Sequence, residues 1–239
     1  MLSRGKEKYM AANQFGEVTI LENPKKQSLS GKRHARLIDA LFNIIVLKDI
    51  KTAEHCKNVA EYSYRLGRQI GLNIDQLKLV KDGAQLHDIG KVLVDMSALN
   101  KRGKLNEREL LMVRNHPIYG MRFLTGFHVP DEITDIAWHH HERWDGKGYP
   151  DGMKGEDIPK LVRVVSVCDT IDAMASNRPY RQRLTKEEII DQLSKAKGTQ
   201  LDPEITDMAI QMIENGKLDI YCQFSAFTKM YIYDIINIS

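Results

Sequence analysis

The sequence predicts an all-α domain, and three observations carry that prediction. Apolar residues recur at steps of three and four from about residue 33 to residue 216, the repeat of helices with one buried face. The two-residue alternation of a half-buried strand is nearly absent from the same span. Helix signals punctuate it: Asn106 with Glu109, Thr185 with Glu188 and Asp202-Pro203 at starts, Gly71, Gly198 and Gly216 at ends.

Residues 1–31 read as a polar leader, broken by Asn23-Pro24 and by Ser28 to Gly31, with one short strand at Val18 to Leu21. Leu37, Ala40, Leu41, Ile44 and Ile45 mark a first helix that runs up to Asp49. A second begins near Thr52, carries Val59, Tyr62, Leu66 and Ile70 on its apolar face, and stops near Gly71. His55 stands one turn before Val59 on that inward face. A third runs from Asp75 towards Ile89, with Leu77, Val80 and Ala84 leading at helical steps to His87 and Asp88. Asn106 and Glu109 cap a helix expected to continue through Leu110 and Val113 to His116. Asp131 opens another, in which Ile133, Ile136 and Ala137 point towards His140 and His141. Leu161 to Met174 is apolar almost all round, as a central helix is, yet it carries Asp169. Two more run from Thr185 to about Gly198 and from Asp202 to about Gly216. The helical domain therefore spans 32–217, and the tail 218–239, rich in Tyr, Phe and Ile, suits a helix or a strand equally.

Over 239 residues, 42% apolar and 28% charged side chains suit a soluble globular protein with a substantial core. The net charge of +3 is too slight to imply a DNA or RNA polymer as partner. Cys56, Cys168 and Cys222 are too few and too dispersed for a disulfide framework or a CxxC metal site, and they fit a reducing cytoplasm. The early lysines are followed by no apolar run, so no signal peptide is expected. No window approaches about 18 uninterrupted apolar residues, so no membrane insertion is expected.

The anomaly lies on the stripes that face inward. His55, His87, Asp88, His116, His140, His141 and Asp169 stand where apolar residues belong. A lone inward histidine is an ordinary core residue with a hydrogen-bond partner. Seven such groups on five helices are different, because unpaired burial of carboxylates and imidazoles costs several kcal/mol for each group. A pair of divalent metal ions offsets that cost. Imidazole and carboxylate without thiolate suit iron or manganese first, then zinc, nickel or cobalt, and argue against a structural zinc site. An adjacent His-Asp pair can place one ligand on each metal with the carboxylate bridging. Two metals about 3.5–4 Å apart make a clamp for in-line displacement at phosphorus and lower the pKa of a water between them.

LHDIGK (Leu86 to Lys91) followed by HHERWDGKGYP (His140 to Pro150) resembles the HD-GYP family, the branch of the HD phosphohydrolases that cleaves cyclic di-GMP. The resemblance runs from about Ala35 to Pro203 and includes KDIKTAEH, NHPIYG, VSVCDTIDAM, NRPYRQ and GTQLDPE. It implies an HD-type helical bundle with a binuclear centre, held by the same seven residues that burial picks out, Asp88 being the bridge. It implies that Lys91 contacts the phosphate and that Arg178 and Arg181 bind substrate phosphates and guanine bases. Tyr149 would face the substrate, with Gly146 and Gly148 letting the loop approach closely. Glu142 and Asp49 are expected to orient ligand histidines, and His139 to be an ordinary surface residue. The implied reaction opens cyclic di-GMP to linear pGpG, and further cleavage to GMP is left open. The alternatives are an HD phosphohydrolase of another nucleotide or cyclic dinucleotide, and a silent module that binds cyclic dinucleotide or a partner. The expected partner is a cyclic dinucleotide substrate, with a sensor or regulatory protein and a second copy of the chain as further candidates.

Two departures from the family pattern matter. Some members place a metal-binding glutamate four residues before the first histidine, where this chain has Lys51, so two metals are expected and not three. The segment VLVDMSALNKRG lacks two prolines usual there, which predicts a more mobile loop.

Overall fold

The computed structural model describes residues 9–12, 18–21, 31–99, 101, 103–177 and 182–221. Arg178, Arg181 and most of the aromatic tail lie outside them. Two short strands, β1 (Tyr9–Ala12) and β2 (Val18–Leu21), pair antiparallel with Tyr9 opposite Leu21. The second matches the strand expected in the leader.

The remaining elements are helical. They are α1 (Gly31–Lys48), α2 (Ile50–Gln69), α3 (Ile74–Leu86), a 3-10 turn (Ile89–Leu93), α4 (Met96–Leu99), α5 (Glu107–Arg114), α6 (His116–Thr125) and α7 (Asp131–His139). A second 3-10 turn at Gly155–Asp157 precedes α8 (Lys160–Ala175), α9 (Lys186–Ala196) and α10 (Pro203–Glu214). Capping boxes at Asn73, Asn106 and Thr185 start α3, α5 and α9 with their orphan N–H groups satisfied. Among the described residues no helix is long and apolar enough to cross a membrane.

One expected helix is two. The run from Asn106 does not carry through to His116; it stops at Arg114, and α6 starts at His116. Pro117 is the cause: its ring has no N–H and clashes with the carbonyl four residues back, that of Val113. That freed carbonyl is reused in the site below.

The apolar side chains form two clusters. One joins α2, α3, α8, α9 and α10 through Val59, Leu66, Val80, Val164, Leu193 and Ile213. The other joins α1, the first 3-10 turn, the α6–α7 connection and the start of α2 through Leu41, Ala53, Ile89, Leu124 and Ile133. Helix α8 is central as expected, with ten of its sixteen residues buried. Helix α2 belongs to both clusters, Cys56 to one and Val59 to the other. The inward polar residues lie along this seam: His55 stands beside Cys56, and His87-Asp88 sits between Leu86 and Ile89. The seam is tight at Gly90, where an added Cβ would lie 1.9 Å from the His116 carbonyl oxygen.

Candidate metal centre

All seven residues expected as ligands converge. His55, His87 and Asp169 form one group able to hold a metal ion, and His116, His140 and His141 form another. Asp88 lies between them, and its two oxygens divide. Oδ2 faces His55 Nε2 at 3.7 Å and His87 Nε2 at 3.6 Å. Oδ1 faces His116 Nε2 at 3.1 Å and His140 Nε2 at 3.9 Å. A carboxylate with one oxygen turned to each group is the arrangement a bridging ligand needs.

The histidines are aimed by helix ends. A helix terminus leaves its last carbonyls short of intrahelical partners, and at three helix ends such carbonyls accept imidazole Nδ1–H here. His87 Nδ1 donates to the Ala84 carbonyl at 2.7 Å where α3 stops. His116 Nδ1 donates to the Val113 carbonyl at 2.7 Å, the one Pro117 released. His140 Nδ1 donates to the Ala137 and Ile136 carbonyls at 3.1 and 3.2 Å where α7 stops. A carbonyl only accepts, so each ring carries its proton on Nδ1 and presents a bare Nε2 to the centre, the tautomer a metal requires.

His55 is oriented by a carboxylate instead of a carbonyl, its Nδ1 lying 2.7 Å from Asp172 Oδ2. Asp172 is itself buried and accepts a hydrogen bond from Asn58 Nδ2 at 2.9 Å. Asp49, expected from the sequence in this supporting place, stands elsewhere. Asp49 is the single residue between α1 and α2, and its carboxylate caps α2 by accepting from Lys51 N and Thr52 Oγ1. Asp172 stands three residues after Asp169 on the same face of α8, a spacing that was legible but unused.

Electrostatics keep the donors competent. Burial lowers His87 below the usual imidazole value, holds His140, which is packed among the other imidazoles, well below it, and pushes His141 down to about 4, so these rings are neutral at pH 7. His55 differs: burial lowers it, but hydrogen bonds to Asp169 and Asp172 outweigh that and raise it to about 10. Burial opposes ionisation of Asp88, yet Lys91 and His87 hold its carboxyl well below the usual range. Lys91 Nζ lies 2.5 Å from Asp88 Oδ2. Among the described residues, His87 Nε2 is buried with no hydrogen-bond partner. Such an orphan is costly unless a ligand meets it, so the residues fit a bound cation. Cys56 also closes on His87 and Asp88, although burial and the Asp88 charge keep its thiol protonated.

The loop after His141 folds back over the centre. Tyr149 stacks on His141 with ring centroids 4.9 Å apart. Glu142, expected from the sequence to orient a ligand histidine, holds the loop instead: its buried carboxylate accepts the backbone N–H groups of Asp151, Gly152 and Met153 at 2.7, 3.0 and 3.1 Å. The returning loop also explains a second correction. His139 is buried, 7% exposed, with Nε2 3.0 Å from Asp151 Oδ2 and its ring stacked on Trp138. Gly148 permits the close return, since a Cβ there would lie 2.4 Å from Arg143 N. Lys51 is exposed at the position where a third-metal ligand would stand.

A family model described as HD domain matches residues 39–205. The chain is 38% identical over 170 residues to a cyclic di-GMP phosphodiesterase of Pseudomonas aeruginosa, a match covering 70% of this chain and 41% of that protein. It is 33% identical over 177 residues to a 3'3'-cGAMP-specific phosphodiesterase of Vibrio cholerae, covering 73% of this chain and 34% of the relative. The solved structure of a cyclic GMP-AMP-specific phosphodiesterase of V. cholerae shares the fold, with a TM-score of 0.61 at 15% identity over 83% of this chain and 53% of that one. The chain spans 34% to 52% of the length of such curated relatives. With the HD pair set between two histidine groups and the GYP loop closed over one of them, this chain belongs to the HD domain family, in its HD-GYP branch.

Proposed function

We propose that the chain is a metal-dependent phosphodiesterase that opens cyclic dinucleotides, cyclic di-GMP foremost, to the linear dinucleotide pGpG and then GMP. The observation that carries the reading is the division of Asp88, one oxygen towards each of two histidine groups. Two cations are proposed, held by His55, His87 and Asp169 on one side, by His116, His140 and His141 on the other, and bridged by Asp88. When bound they supply Lewis acidity for attack of water on phosphorus. Iron or manganese suits this nitrogen and oxygen donor set best, with zinc, nickel and cobalt as further candidates.

The chain's own residues do the rest. The Nδ1 bonds of His55, His87, His116 and His140 hold those four rings in place, which limits reorganisation when substrate arrives. Lys91 keeps its cation beside Asp88, where it offsets negative charge that builds on the phosphoryl oxygens. Burial lowers the lysine's affinity for its proton, but Asp88 outweighs that, so Lys91 stays charged. The Tyr149 ring lies against His141, and it is proposed to face the substrate, with Arg178 and Arg181 binding the phosphates and bases.

The test is incubation of protein loaded anaerobically with iron or manganese with cyclic di-GMP, the products being separated by chromatography beside an Asp88→Ala control. Linear dinucleotide or GMP that needs intact Asp88 supports the reading. No turnover with metals shown to be bound sinks it. The similarity to a 3'3'-cGAMP-specific relative supports a second reading, in which a mixed purine dinucleotide is preferred. A panel of cyclic di-GMP, 3'3'-cGAMP and cyclic di-AMP separates the two.

A further inference from the structure

Arg114 ends α5 at the rim of the centre, and no expectation attached to it. It is exposed, and its guanidinium carbon stands 5.0 Å from the Tyr149 ring centroid. The other neighbour of that ring is His141, so Arg114, Tyr149 and His141 form one stack that runs from solvent to the His116, His140 and His141 group. Its backbone is held as well. Val113, the residue before it, has its carbonyl locked to His116 Nδ1, and His116 follows two residues later. Among the described residues no carboxylate pairs with Arg114, whereas the nearby Arg143 and Arg163 are bound to Asp145 and Asp202.

An arginine that spends its planar face on an aromatic ring keeps its N–H edge free, and that edge matches two oxygens of a phosphate. A cyclic dinucleotide carries two phosphodiesters in a single ring. When one lies at the histidine groups, the other is one ribose away, and Arg114 stands one aromatic ring beyond His141. We propose that Arg114 binds the second, uncleaved phosphodiester of a cyclic dinucleotide, and so selects two-phosphate rings over simple diesters. This rests on the phosphodiesterase reading above.

The test compares Arg114→Gln and Arg114→Lys with the parent protein, all loaded with manganese, on cyclic di-GMP and on bis(p-nitrophenyl) phosphate, which has a single phosphate. A charged hydrogen bond is worth about 1.5–3 kcal/mol, so KM for cyclic di-GMP rises by about 10-fold or more in Arg114→Gln, with kcat the less affected constant. The loss on cyclic di-GMP exceeds that on the small diester by a similar factor, and Arg114→Lys falls between. An unchanged KM overturns the proposal. Equal losses on both substrates also overturn it, since Arg114 would then only brace Tyr149. If the parent protein turns over no cyclic di-GMP, the phosphodiesterase reading fails first. Calorimetric Kd values for cyclic di-GMP then decide on Arg114: tenfold weaker binding in Arg114→Gln upholds it, and equal or absent binding in the parent overturns it.

Discussion

His55 on α2 and Asp172 on α8 are 117 residues apart in sequence, yet His55 Nδ1 lies 2.7 Å from Asp172 Oδ2. The other side of that ring, Nε2, lies 3.1 Å from Asp169 Oδ1. One turn of α8 thus grips the histidine from both nitrogens, Asp169 at the centre and Asp172 behind it. Asp172→Asn removes the charge that favours the Nδ1–H form and should weaken metal binding by about 10- to 100-fold. Metal titration of the purified protein measures this, and excess metal should restore most of the activity. An unchanged metal affinity would show that Asn58 and the backbone suffice to hold the ring.

Glu142 ties down the loop that carries Tyr149 by accepting three backbone N–H groups. Glu142→Gln sets an amide N–H₂ against at least one of those donors, in a buried place. The expected loss is about 1–3 kcal/mol of stability, read by urea unfolding. Metal content should stay near that of the parent, because the Glu142 carboxylate bonds the loop backbone at Asp151, Gly152 and Met153.

Gly148 has a narrower role. A methyl group there meets Arg143 N at 2.4 Å and Glu142 Cα at 2.5 Å, both backbone atoms that cannot yield cheaply. Gly148→Ala should therefore displace Tyr149 from His141 and raise KM, while manganese is still retained. Loss of metal together with activity would instead place the damage at the histidine groups.

The metal-free protein should be most stable near pH 6.5 and lose stability on either side. His55, raised to about 10, stabilises the folded state fully below the unfolded imidazole value of about 6.5, and that contribution is lost as the pH climbs through 10. His141, held at about 4, rejects a proton that the unfolded chain accepts below about 6.5, so stability also falls as the pH drops towards 4. Bound metal needs His55 neutral, so saturation with manganese should flatten the alkaline limb. Thermal unfolding against pH, with and without manganese, measures both limbs; a flat alkaline limb without metal would refute the account.

The sequence by itself determined the helices and the seven converging residues. Periodicity, capping boxes and breakers are local, so α2, α3, α7, α8, α9 and α10 follow from short windows. The seven residues were legible because charged and imidazole groups on apolar stripes are costly wherever the helices pack. Only the tertiary structure decided what each supporting group does. Asp49 and Asp172 are both acids near a histidine in pattern, but a residue wedged between two helices becomes a cap, while one on a buried face meets the ring across the bundle. Glu142, His139 and Arg114 took their places from a loop that doubles back over α7 and the end of α5. Such contacts join segments distant along the chain, and no local propensity encodes which oxygen or ring will be waiting there.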